Sequence, residues 1–137
     1  MTPEQTNFIN SLIGLPWRSG AAGPDAYDCW GLAQAVQQRL FLRQLPDIKI
    51  NAEDVRTVMR EIATTRARDS WERVDGPGHG RIVEMSSGRH PYHVGVYLDV
   101  DGGGIRHSQN PAGVCFDKIA ALEAAGWRRF AYNEWVG

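Results

Sequence analysis

The chain has 137 residues, 42% of them hydrophobic, which suits one compact core spanning 1–137 and excludes a second domain. Fifteen basic residues stand against sixteen acidic ones, a formal net charge of −1, so there is no bulk attraction for a polyanion and nucleic acid is not an expected partner. Two cysteines, Cys29 and Cys115, are too few for a disulfide-stapled framework, so the fold must stand on packing.

Thr2 and Pro3 form an N-cap and N1 pair with Gln5 at N3, and Phe8, Ile9, Leu12 and Ile13 follow at helical spacing until Gly14. Leu15 to Tyr27, punctuated by Pro16, Gly20, Gly23 and Pro24, is a loop that must pass over some other element. Asp28 caps a second helix predicted from Cys29 to about Arg43, with Leu32, Ala35, Val36 and Leu40 on one face. A third helix is predicted from Asn51, with Val55, Val58, Met59 and Ile62 as its apolar side.

After Asp75 the apolar period changes from 3.6 to 2. Strands are predicted at Arg81 to Met85, His93 to Leu98, Gly104 to Ser108, Val114 to Phe116 and Trp127 to Tyr132. Between the last two, Asp117 is expected to cap a short helix through Ala125. Helices first and a meandering sheet afterwards predict an α+β fold, with N-terminal helices packed on a mostly antiparallel sheet. No run approaches the ~18 apolar residues that span a bilayer, and no basic segment followed by an apolar stretch opens the chain. The expectation is synthesis in a host cytoplasm without a signal peptide, and no membrane insertion.

A cysteine attacks only as thiolate, and at a free pKa of ~8.5 only a few per cent is ionised at pH 7. Lowering that pKa to about 6 takes roughly 3.4 kcal/mol, whereas a helix N-terminus contributes ~0.3 to 1 and at best ~2. Cys29, in the first turn of its helix, therefore needs an imidazole beside it. His79 and His90 lie in loops and are expected to be solvated. His93 opens its strand and shares a face with Gly95, expected to let a helix approach, and with Tyr97. His107 returns on the next strand: a turn centred on Val100 opposes the two imidazoles, one centred on Asp101 makes them diagonal within ~7 to 8 Å, and an even-residue turn separates them. The functional reading is Cys29 as nucleophile, His93 as base and His107 as orienter. Against it, a lone helix-start cysteine is commonly a small buried hydrophobe.

The blocks Gly14-Leu15-Pro16-Trp17, Asp28-Cys29-Trp30-Gly31-Leu32, His93-Val94-Gly95-Val96-Tyr97-Leu98 and Ile105-Arg106-His107-Ser108 occur in the order found in the NlpC/P60 family of papain-like cysteine peptidases, which the chain resembles from about Leu12 to Trp135. Trp30 after the cysteine, and Leu45-Pro46-Asp47 after the helix, are most similar to phage-tail members. The resemblance implies a papain-like fold and hydrolysis of amide bonds in peptidoglycan stem peptides, commonly between γ-D-glutamate and diaminopimelate, without cofactor or metal. It implies Cys29 as nucleophile, His93 as base and His107 as the third polar residue. It also implies other tail-tip proteins as partners and a place in the virion tail, acting in the periplasm or cell wall. A structural tail-tip component with little catalysis and an injected amidase toxin are the alternatives.

Two positions depart from the family pattern. Trp17 stands where a tyrosine helps hold the oxyanion, leaving that task mainly to the Cys29 backbone N–H. Gly80-Arg81 replaces a Gly-Asp, altering either a structural or a substrate contact. Asp28 and Trp30 flank the nucleophile, and Trp30 is the tryptophan expected to border the cleft. Of the others, Trp71, Trp127 and Trp135, most are expected in the core, and Cys115 is expected to be a packed strand residue. A zinc site from Cys29, Cys115, His93 and His107 lacks ligand spacing and would occupy the nucleophile.

Overall fold

The computed structural model describes residues 1–45, 70–87 and 92–137. The third helix expected from Asn51, His90, and Pro46-Asp47 lie outside the described residues. Helix α1 covers Pro3–Leu12, and its capping box forms as the sequence predicts: Gln5 N–H donates to Thr2 Oγ1 and Thr2 N–H to Gln5 Oε1, both at 3.1 Å. The same Gln5 ties α1 to the next helix by donating from Nε2 to the Leu40 carbonyl at 3.2 Å. Helix α2, Cys29–Phe41, stops two residues short of the expected Arg43, because Leu42 turns left-handed at φ 55° and its N–H reaches back to the carbonyls of Gln37 and Gln38.

Among the described residues six strands follow: β1 Trp71–Val74, β2 Ile82–Ser86, β3 His93–Leu98, β4 Gly104–Gln109, β5 Gly113–Asp117 and β6 Arg129–Trp135. Helix α3, Ile119–Ala124, lies between the last two. The strands form one antiparallel sheet in the order β1-β6-β2-β3-β4-β5. β1 escapes the sequence pattern. Its four residues exist as a strand through pairing with β6, Trp71 opposite Trp135, a partner more than sixty residues away.

The sheet has an apolar cluster on each face. Val94, Val96 and Leu98 pack with Leu32, Val36 and Leu40 of α2 and with Phe8, Ile9 and Leu12 of α1. Val83, Met85, Ile105, Leu122 and Trp127 form the second cluster. α2 thus lies across β3 and β4, which places its N-terminus near the ends of the two strands that carry histidines. Arg81 resolves one of the two departures. Its guanidinium bonds Glu134 Oε1 at 3.1 and 3.3 Å and the carbonyls of Gly76 and Pro77 at 2.8 and 3.1 Å, so the contact it makes is structural.

Candidate active site

Asp28 builds the start of α2. Its Oδ1 accepts from Gly31 N–H at 2.6 Å and its Oδ2 from Gly20 N–H at 2.9 Å, so one carboxylate caps the helix and fastens the preceding loop to it. That loop passes over α2 itself: Asp28 N–H donates to the Ala21 carbonyl, and a Cβ at Gly31 would collide with that same oxygen. Tyr27 N–H donates to the Pro16 carbonyl at 3.1 Å, and Trp17 pairs with Tyr27 as a backbone bridge. Trp17 is half-buried, while Trp30, expected at the cleft, is buried in the core with α2.

β3 and β4 pair from Leu98↔Gly104 to Val96↔Arg106. Past that point they serve α2 instead. Val94 N–H bonds the Cys29 sulfur, and the Ser108 hydroxyl donates to the Tyr27 carbonyl at 2.7 Å. The thiol therefore meets the residue that follows His93.

The hairpin register centres on Asp101, whose φ is 49°, so His93 and His107 lie diagonally on one face. His93 Nε2 and His107 Nδ1 are 2.9 Å apart, with the rings at 82°. Gly95 makes room for this, though not for a helix. A Cβ there would lie 2.5 Å from Ile105 Cγ2, 2.9 Å from the Arg106 carbonyl and 3.1 Å from His107 Cβ, so the close approach is strand to strand. Trp127 stacks on His93 with centroids 5.4 Å apart and planes at 21°.

One further residue joins the chain. His107 Nε2 is 2.8 Å from Asp117 Oδ2, the carboxylate that the sequence assigns to a helix cap. Asp117 instead ends β5, and Lys118 takes the N-cap position of α3 with no side-chain capping bond. A sequence signal existed. The β4–β5 hairpin pairs His107 with Cys115, which places residue 117 on the same face one diagonal step away.

Cys29 is 5% exposed and His93 7%. Burial, with the Asp28 charge adding to it, pushes the Cys29 thiol up to about 12, although N–H groups of Val94, Trp30 and Cys29 itself pull the other way. Burial pushes His93 down to about 3, helped by His107, and also lowers His107 against the pull of Asp117. A thiolate at Cys29 needs a lowered thiol, whereas burial in this enclosed site pushes the thiol and both imidazoles toward their neutral forms.

The remaining candidates lie elsewhere. His79 is not loose, since its Nδ1 accepts from Asp99 N–H at 2.9 Å and its ring meets Phe41 edge-on, but it stands apart from this chain of groups. Cys115 is half-buried and donates to the Gly113 carbonyl at 3.4 Å. Among the described residues no group of three or more His, Cys, Asp or Glu side chains is placed to hold a metal ion. No helix among them is long and apolar enough to cross a membrane.

A cysteine at a helix start, set against a histidine pair at the end of an antiparallel sheet, defines a papain-like arrangement. The sequence profile of the NlpC/P60 family matches residues 14–132, and the chain belongs to that family. Its fold is similar to the crystal structure of the NlpC/p60 domain of the peptidoglycan hydrolase SagA, at 19% identity over 93% of this chain and 94% of that one, with a TM-score of 0.57. No relative was found among curated proteins.

Proposed function

We propose that the protein is a peptidoglycan hydrolase, a cysteine endopeptidase that cleaves stem-peptide amide bonds, with the γ-D-glutamyl-diaminopimelate bond as the expected target. The observation that carries this is Cys29 at the start of α2, bonded by the backbone of the residue after His93, whose ring is in turn bonded to His107. Family membership and the likeness to a domain of SagA support the same reading.

In the proposed reaction the Cys29 sulfur attacks the amide carbonyl while its proton passes to His93. The oxyanion is held by the Cys29 backbone N–H, one of the first-turn donors of α2 that have no partner carbonyl within the helix. Collapse breaks the C–N bond, and His93 returns the proton to the leaving amine. Water, deprotonated by His93, then splits the thioester and restores the thiol. Release of soluble fragments from purified cell wall by the wild-type protein, abolished in Cys29→Ala, tests this reading. Undiminished release by that variant would remove it.

A place at a phage tail tip is the setting we propose, supported by the resemblance of the Cys29-Trp30 and Leu45-Pro46-Asp47 segments to tail members, with tail-tip proteins as partners. Co-purification with tail particles tests it. The burial of Cys29, which pushes its thiol up, favours one second reading, a structural component of such an assembly with little catalysis. Alkylation of Cys29 against pH, with and without cell-wall fragments, separates the two, because substrate seated over a catalytic thiol shields it from the reagent, whereas a structural thiol reacts alike in both.

A further inference from the structure

His93, His107 and Asp117 come from three successive strands, and each step of the chain moves two residues along the sheet. Extending the β3–β4 register beyond its last pair puts position 93 level with 109, two residues past His107, and His107 lies opposite Cys115, two residues short of Asp117. The three side chains therefore run as one slanted line on a single face, closed by contacts of 2.9 and 2.8 Å. His107 is fully buried at its centre, while the Asp117 side chain is 39% exposed at its end.

Hydrogen-bond chemistry gives this line a direction. A carboxylate oxygen only accepts, so the 2.8 Å contact requires the proton on His107 Nε2. A neutral imidazole carries one N–H, which leaves His107 Nδ1 bare and able only to accept. The 2.9 Å contact then requires the proton on His93 Nε2. His93 Nδ1 is left as the single free lone pair of the chain, and it is the base that the proposed reaction needs. With His107 in the other tautomer, His93 would spend its lone pair on His107 and present an N–H to the thiol.

We propose that Asp117 is the positioning residue that fixes the tautomers of both histidines, aiming the basic nitrogen of His93 away from His107 and toward the nucleophile. The proposal deepens the hydrolase reading and rests on it for its catalytic consequence. The tautomer order itself is a property of the resting protein. Asp117 touches neither substrate nor sulfur and acts through two rings.

The test combines a spectroscopic and a kinetic readout. Imidazole ¹⁵N shifts of the wild-type protein at neutral pH should show Nε2–H and bare Nδ1 in both His93 and His107. Asp117→Asn, which nearly preserves shape but can also donate, should mix the His107 tautomers. Its kcat/KM on cell-wall fragments should fall about 10- to 100-fold, as for outer partners that orient a functional imidazole, with KM within about threefold. Asp117→Glu should restore most of the rate. A wild-type His107 protonated on Nδ1, an unchanged rate in Asp117→Asn, or a lost rate with unchanged tautomers would each overturn the proposal. Because the wild-type measurement needs neither substrate nor a variant, it decides the tautomer order even if Cys29→Ala shows that this thiol is not the nucleophile.

Discussion

Asp28 carries two opposed effects, and one substitution separates them. Its carboxylate is 5% exposed and holds two backbone donors, Gly31 N–H at 2.6 Å and Gly20 N–H at 2.9 Å. Burial raises its pKa, so the charge is held at a cost, and its field in turn raises the Cys29 thiol. Asp28→Asn keeps one acceptor for Gly31 but turns an amide N–H toward Gly20, leaving that donor unpaired. An unpaired donor costs ~1 to 3 kcal/mol. Gly20 is exposed enough to find water, and a buried charge disappears, so the net loss should be about 1 kcal/mol or less. Asp28→Ala also removes the helix cap, worth a further ~0.5 to 2 kcal/mol, for a loss of about 2 kcal/mol. The thiol should respond in the opposite sense. Each unit by which its pKa falls gives tenfold more thiolate below the pKa, offset by a nucleophilicity loss of ~0.4 to 0.5 log units, or roughly threefold net. Urea unfolding and the rate of exchange with a small disulfide at pH 8 measure the two effects. Asp28→Asn reacting no faster than wild type, or Asp28→Ala as stable as wild type, would refute this account of the helix start.

Other consequences follow from the same geometry. His93 is held well below its unfolded pKa of ~6.5, so the unfolded chain binds a proton that the folded one refuses, and stability present above that value is lost as pH falls toward 3. The initial slope should approach ~1.4 kcal/mol per pH unit for His93 alone, with His107, also lowered, adding to it and Asp28, raised in the folded state, opposing it in the lower part of the window. A urea midpoint that stays flat between pH 7 and 5 would contradict this. Gly95→Ala should cost ~1 to 3 kcal/mol and slow hydrolysis at least tenfold, because its methyl meets the Arg106 carbonyl and the base of His107. A wild-type rate in a folded Gly95→Ala protein would show that the strand spacing is not needed. Trp127→Leu should uncover His93 and raise its pKa, seen in the ring ¹³C and ¹⁵N titration, since burial is the main force lowering it.

What the sequence made legible was local. The Thr2 capping box, the Asp28 cap and the His93–Leu98 strand each depend on residues within a few positions of one another, and each appears where the pattern places it. The pairing of His93 with His107 was legible up to a choice of turn, which Asp101 settles by adopting φ 49°. The rest was decided by distant partners. β1 exists because of β6, and Asp117 leaves its expected cap for His107 across a hairpin, where a buried imidazole offers more than exposed amides. The thiol's environment is hidden from the sequence for the same reason. A helix N-terminus is visible in sequence, but the burial that outweighs it is not.

The central claim is that Cys29 performs amide hydrolysis on peptidoglycan. Mass analysis of cell-wall digests tests it most directly: wild-type protein should convert crosslinked or intact stem peptides into paired fragments whose masses sum to the parent plus one water, with a newly freed diaminopimelate amine. Cys29→Ala and His93→Ala digests should contain none. Digests by the wild-type protein that contain only intact stem peptides, or identical fragments from Cys29→Ala, would contradict the account.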